Sequence, residues 1–152
     1  AMLAYGNRLV GMEPNFHGGH VLIGLAQLDQ KKNEIAIKEL ELAATLTGYR
    51  DAFTLGFLGM GYGHSGHKDK ALEIIATLDG LPYQKEELKL EYGLIYASIG
   101  EWDKAFEQLE EGINLQQTNS FFVPSFLPKW FPKMKDDPRI EQLSKLLDSK
   151  IK

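Results

Sequence analysis

Apolar residues recur at intervals of three and four along most of the chain and never alternate at two for long, which predicts amphipathic helices rather than strands. The pattern also repeats. A large apolar residue followed by glycine occurs at Ile23-Gly24, Leu58-Gly59 and Tyr92-Gly93, spaced 35 and 34 residues apart. Three positions after each glycine stand Gln27, Tyr62 and Tyr96. Twelve after it stand Ala36, Ala71 and Ala105, and four further on Leu40, Ile75 and Leu109. Between the second and third columns the chain turns polar, reading QKKNEIA, HSGHKDKA and SIGEWDKA. Each copy therefore reads as helix, tight turn, helix, with Asn33, Gly66 and Gly100 at the turns. Glycine inside a helix costs about 1 kcal/mol relative to alanine. Columns of mid-helix Gly and Ala thus predict two antiparallel helices in close approach.

These residues resemble the tetratricopeptide repeat (TPR) family. Copy two carries its pattern as Leu55-x2-Leu58-Gly59-x2-Tyr62 followed by Ala71-x3-Ile75, with Leu78 at the second Ala position. Copy one has His20 at the family's Trp position and Gln27 for Tyr, and keeps Ala36, Leu40 and Ala43. Copy three has Lys89 at the Trp position and Gly112 at the second Ala position. Pro14 lies 34 residues before Gly48 and holds the closing-proline register, so the residues before it are expected to form the second helix of a preceding repeat. The resemblance implies an all-α, right-handed αα-superhelix: a TPR solenoid of about three and a half repeats with a C-terminal capping helix. The expected organisation is a single domain over 1–152, with a half repeat 2–14, repeats 15–48, 49–83 and 84–117, a Pro/aromatic segment 118–136 and a capping helix 137–150.

After residue 116 the repeat stops. The remainder holds four of the six prolines and five of the sixteen Phe, Trp and Tyr residues. Asp137 before Pro138 suits a helix cap followed by proline in the first turn, and Ile140, Leu143, Leu146 and Leu147 supply an apolar stripe. Phe121, Phe122, Phe126, Trp130 and Phe131 are expected to cover the open face of the last repeat. The tail is similar to that of TPR domains at the C-termini of bacterial transcriptional regulators and adenylate or guanylate cyclase-like proteins. Asp137-Pro138-Arg139 and Leu146-Leu147 match it, with Ile140 where an aromatic is usual. The resemblance implies an appended interaction or regulatory domain.

Composition narrows the chemistry. Lys+Arg total 17 against Asp+Glu 21, a net charge of −4, which argues against direct nucleic-acid binding. No apolar run reaches the roughly 18–20 residues that span a bilayer, so no membrane segment is expected. Zero cysteines exclude disulfides, a thiolate nucleophile and Cys-based zinc sites, and suit a cytoplasmic location. Gly61-Tyr62-Gly63-His64-Ser65-Gly66 matches G-x-G-x-x-G, but the repeat register puts Gly61 and Gly63 inside a helix, so no dinucleotide cofactor is expected. His17/His20 and His64/His67 are read as surface imidazoles rather than metal ligands. The pairs Glu86/Glu87, Glu110/Glu111 and Asp136/Asp137 are read as solvated surface. Lys68, Lys70 and Lys104 are expected to face water, and Trp102 to pack against the next turn. No catalytic residue, cofactor or metal is assigned, and the chain is not expected to be an enzyme.

In the TPR family the first helix of each repeat lines the concave surface. The resemblance carries its ligand-facing positions onto Val21, Leu25 and Leu28 in copy one, Phe53 and Met60 in copy two, and Glu87, Leu90 and Leu94 in copy three, together with Gly18, Gly56, Gly63 and Ala97. No Lys, Arg or Asn occupies these positions, so the terminal-carboxylate clamp of chaperone-binding members is not expected. Two occupants fit this apolar groove: a partner's protein or peptide segment, or the chain's own aromatic tail. The expected function is a non-catalytic protein–protein interaction module. The alternative is a C-terminal regulatory domain of a larger cyclase-like or transcription-regulator protein, acting by intramolecular or dimer contacts. A homodimer through the N-terminal half repeat is compatible with both.

Overall fold

A computed structural model describes residues 1–115 and 123–151. Nine α-helices occur among them and no strand: α1 Met2–Met12, α2 His17–Asp29, α3 Asn33–Leu46, α4 Ala52–His64, α5 Lys68–Asp79, α6 Lys89–Ser98, α7 Trp102–Asn114, α8 Val123–Trp130 and α9 Pro138–Ile151. Helices α2 with α3, α4 with α5, and α6 with α7 form three helix–turn–helix pairs. Successive pairs join through α3 against α4 and α4 against α6, while α1 lies on α2 and α9 on α7.

The three pair-forming turns are the same turn. Lys31, Gly66 and Gly100, 35 and 34 residues apart, take left-handed backbone at φ 59°, 79° and 79°. The next residue's N–H closes each helix: Lys32 onto Gln27 O, His67 onto Tyr62 O and Glu101 onto Tyr96 O, all at 2.9 Å. The Gln/Tyr column thus marks the carbonyl that receives the helix-ending bond. In copy one Lys31 bears the turn, whereas Asn33, expected there, is the first residue of α3.

The glycine column works by contact. A Cβ on Gly24 would fall 2.6 Å from Leu40 Cγ, and one on Gly93 2.7 Å from Leu109 Cδ2. A Cβ on Gly59 would meet Ile95 of α6 and Ile74 of α5 instead of Ile75. Leu40, Leu55, Leu58, Met60, Leu78, Leu94, Ile95 and Leu109 are fully enclosed around these approaches. Asp51 caps α4, its carboxylate accepting from Thr54 N–H at 3.0 Å. Lys70 and Lys104 do more than face water: they lie over the rings of Tyr62 and Tyr96 at 5.3 and 5.5 Å.

Copy three begins with a 3-10 turn, Lys85–Leu88, held by reciprocal capping between Gln84 and Glu87, so α6 starts only at Lys89. The Pro/aromatic segment contains α8 and a second 3-10 turn, Pro132–Met134. Asp137 accepts from the Arg139 N–H at 3.0 Å. The Arg139 guanidinium grips Asp137 at 2.8 Å and Asp103 of α7 at 2.7 Å while lying 4.2 Å from the centre of the Phe106 ring. Aspartate, proline and arginine here act as a staple that pins α9 across α7.

Candidate functional site

The expected groove residues lie on α2, α4 and α6, apart from Glu87. Leu28, Met60, Leu90 and Leu94 belong to one buried cluster, and half-buried Leu25 packs against it. Val21 is also buried. Phe53 is 39% exposed and stands edge-on to Phe57, with 4.9 Å between ring centres. Glu87 sits in the 3-10 turn before α6, exposed, its carboxylate accepting from Gln84 N–H at 2.8 Å.

The buried cluster also contains Leu127, Phe131 and Met134, so the segment from α8 to the second 3-10 turn forms a strap that shares the core of the repeats. Its polar fastening is on α2. Trp130 Nε1–H donates to Asp29 Oδ1 at 2.9 Å and Lys129 Nζ to Oδ2 at 2.6 Å. Burial opposes ionisation of Asp29, but the hydrogen bonds from Lys129 and Trp130 outweigh it and hold the carboxyl below its usual range. The Trp130 ring meets Phe57 edge-on at 5.6 Å, and Phe131 lies 5.1 Å from His64 and 6.4 Å from Trp102. Trp130 and Phe131 were expected on the open face of the last repeat. They lie instead against α4 and the start of α7, and α9 packs on α7. Phe121, Phe122 and the side chain of Phe126 are outside the described residues.

Beside the strap opens a cleft of about 490 Å³, bounded by the turns that follow α4 and α6, by Trp102 and by the strap residues Trp130–Lys133. A smaller cleft of about 200 Å³ shares Trp130 and Pro132 with it and is lined also by Lys31 and Lys129. His64 borders both, and burial lowers its pKa, leaving the ring neutral at pH 7.

Two polar side chains in the interior, His20 and Glu91, bear on the site, His20 contrary to its surface reading. His20 is buried, one ring nitrogen 2.8 Å from Glu39 Oε2 and the other 2.8 Å from Pro14 O, so it ties α2 to α3 and to the chain after α1. Its place in the Trp column is the signal for that burial. Glu91 on α6 is 5% exposed, and its Oε2 has no hydrogen-bond partner. Burial pushes its pKa up to about 7, with Asp51 adding to the rise against a lowering backbone hydrogen bond. Glu91 falls in register with Phe57 of copy two, so the interior position is visible in the repeat although the residue is charged.

Gly61 lies within α4, Gly63 is near its end and Gly66 occupies the turn, so the G-x-G-x-x-G match does not open a helix after a strand. Among the described residues no group of three or more His, Cys, Asp or Glu is placed to hold a metal ion, and no helix is long and apolar enough to cross a membrane. Asp29 and Lys129 escaped the sequence reading, because nothing local links residues 100 positions apart. Comparison of the chain with family models, with curated proteins and with solved structures returns no match.

Proposed function

We propose that the chain is a non-catalytic protein–protein interaction module of tetratricopeptide type, a right-handed superhelix whose concave face receives a polypeptide segment. One observation carries the reading: the face formed by α2 and α4 already receives a segment in cis, with Asp29 clamping Lys129 and Trp130 and with Phe57 against the indole. A carboxylate beside an aromatic wall is chemistry that a segment of another protein can use in the same way. Of the groove residues, Phe53, Leu25 and Glu87 remain accessible, so apolar partner contacts centre on Phe53 and Leu25 rather than on enclosed Met60 or Leu94. The module is proposed to act in the cytoplasm, with a protein or peptide partner and without nucleic acid or cofactor.

Panning a displayed random-peptide library against the folded chain tests this. Enriched peptides that bind saturably, compete with one another and lose about tenfold in affinity on Phe53→Asp support it. No enrichment, or binders indifferent to that substitution, overturns it.

A second reading, a regulatory domain of a larger cyclase-like or transcription-regulator protein, is favoured by α1, where Tyr5 is 58% and Met12 74% exposed. Immunoblotting the native polypeptide separates the two: a band near 17.1 kDa discards the second reading, and a much larger one discards a stand-alone adaptor.

A further inference from the structure

The larger cleft has a composition unlike the rest of the chain. Its volume, about 490 Å³, lies within the range of small-molecule sites, roughly 300–1,000 Å³. Three aromatic side chains from two distant segments converge on it: Trp102 at the start of α7, and Trp130 and Phe131 from the strap. Lys68 and Lys133 also line it, and in a chain of net charge −4 no aspartate or glutamate does. Lys133 has no carboxylate partner among the described residues, and Lys68 meets only Glu101 of the adjoining turn, at 3.8 Å. The first residues of α5 and α7, Lys68 and Trp102, border the same space. Their N-cap residues, His67 and Glu101, accept no side-chain cap hydrogen bond, and Asp69 and Asp103 in the first turns offset the positive helix ends, so the two lysines carry the positive charge at the cleft. Neutral His64 contributes a ring nitrogen for hydrogen bonding rather than a further charge.

We propose that this cleft binds a small planar organic anion, an aromatic carboxylate, with its ring against the half-buried indole of Trp102 and its carboxylate on Lys68 and Lys133. Aromatic walls supply apolar area and edge or face contacts to a flat ring. Two ammonium groups, Lys133 and a Lys68 shared with Glu101, supply charge-assisted hydrogen bonds to a carboxylate. The ligand bridges the strap and the repeats, touching both α7 and the residues after α8. This inference goes beyond the interaction reading and does not depend on it.

The experiment uses the whole chain, labelled with nitrogen-15. Trp102 and Trp130 are its only two tryptophans and both line the cleft, so the two indole N–H resonances report on it directly. Titration with 1-naphthoate is expected to move both saturably, with a Kd below about 1 mM. The uncharged 1-naphthamide, and the Lys68→Ala/Lys133→Ala variant titrated with naphthoate, are each expected to bind about tenfold more weakly. Glu101→Gln, which releases Lys68, is expected to tighten naphthoate binding. All three side chains are on the surface, and an unchanged thermal unfolding curve verifies that the variants fold. Indole signals that stay put to several millimolar, or equal affinity for naphthoate and naphthamide, overturn the proposal. So does a lysine variant that unfolds like the wild type and binds naphthoate as tightly.

Discussion

The indole N–H of Trp130 donates to the Asp29 carboxylate across 101 residues of sequence, and Lys129 takes the other oxygen of the same group. One acid on α2 thereby fastens the strap that shares the core of the repeats. Asp29→Asn removes the ion pair while keeping the shape. Because the carboxylate is partly exposed, the cost is expected to be about 1 kcal/mol, read from urea unfolding at pH 7. The folded-state pKa of Asp29 is depressed, so its contribution is full above the ordinary value of 3.8 and is lost as pH falls through the lowered one. The gap between wild type and variant therefore narrows in acid, and a gap that widens below pH 3.8 contradicts the clamp.

Lys31 holds a left-handed conformation that the equivalent turns give to Gly66 and Gly100. A side chain in that region clashes with its own carbonyl, so Lys31→Gly is expected to stabilise the chain by about 0.5–1 kcal/mol, and Gly66→Ala to destabilise it by about 1 kcal/mol. Thermal denaturation of the two variants should shift the midpoint in opposite directions.

Gly63 and Gly11 make a paired test of helix glycines. A Cβ on Gly63 would fall 2.9 Å from the backbone carbonyl carbon of Ser98 and closer still to its side chain, so α4 and α6 must separate. Gly63→Ala is expected to cost about 2–3 kcal/mol. Nothing lies within 4 Å of a Cβ on Gly11 in α1, so Gly11→Ala should gain up to about 1 kcal/mol from helix propensity alone. Equal unfolding midpoints for the two variants would discount close packing as the reason for glycine between α4 and α6.

Glu91 sets a pH dependence of the opposite sense to Asp29. Its folded-state pKa stands at about 7 against an ordinary 4.5, so between these values the native chain holds a proton that the unfolded chain releases. Stability therefore falls as pH rises from 4.5 to about 7 and levels off above, by about 3 kcal/mol in all. Glu91→Gln is expected to flatten that slope. A slope that persists unchanged in the variant would assign it to another group.

The all-helical architecture is legible in the sequence because the repeat columns are residues that touch or close the same turn. Gly24 faces Leu40, Gly93 faces Leu109, and Gln27, Tyr62 and Tyr96 offer the carbonyls that end the first helices. What escapes is non-local or runs against residue type. The Pro/aromatic segment 118–136 carries no helix in the sequence reading, yet α8 forms there with Pro128 inside it. Buried His20 and Glu91 are polar residues at interior register positions, where type argues for the surface and the repeat argues for the core. The expected groove positions follow from the register, whereas the strap that shares their core depends on a contact with Asp29 that no local pattern encodes. The cleft is harder still to foresee, since its walls come from turns and a strap distant in the chain.

Arg139 holds α9 across α7 through Asp103 and Phe106, while at the other end of the helices α1 presents Tyr5 and Met12 to solvent. The two helices are thus chemically different, α9 stapled to its neighbour and α1 carrying exposed apolar side chains. Two copies that pair α1 with α1 join like to like about a twofold axis, and α9 then faces outward on both sides. Such stacking counts to two and stops: dimers by this route carry no tendency to grow into filaments.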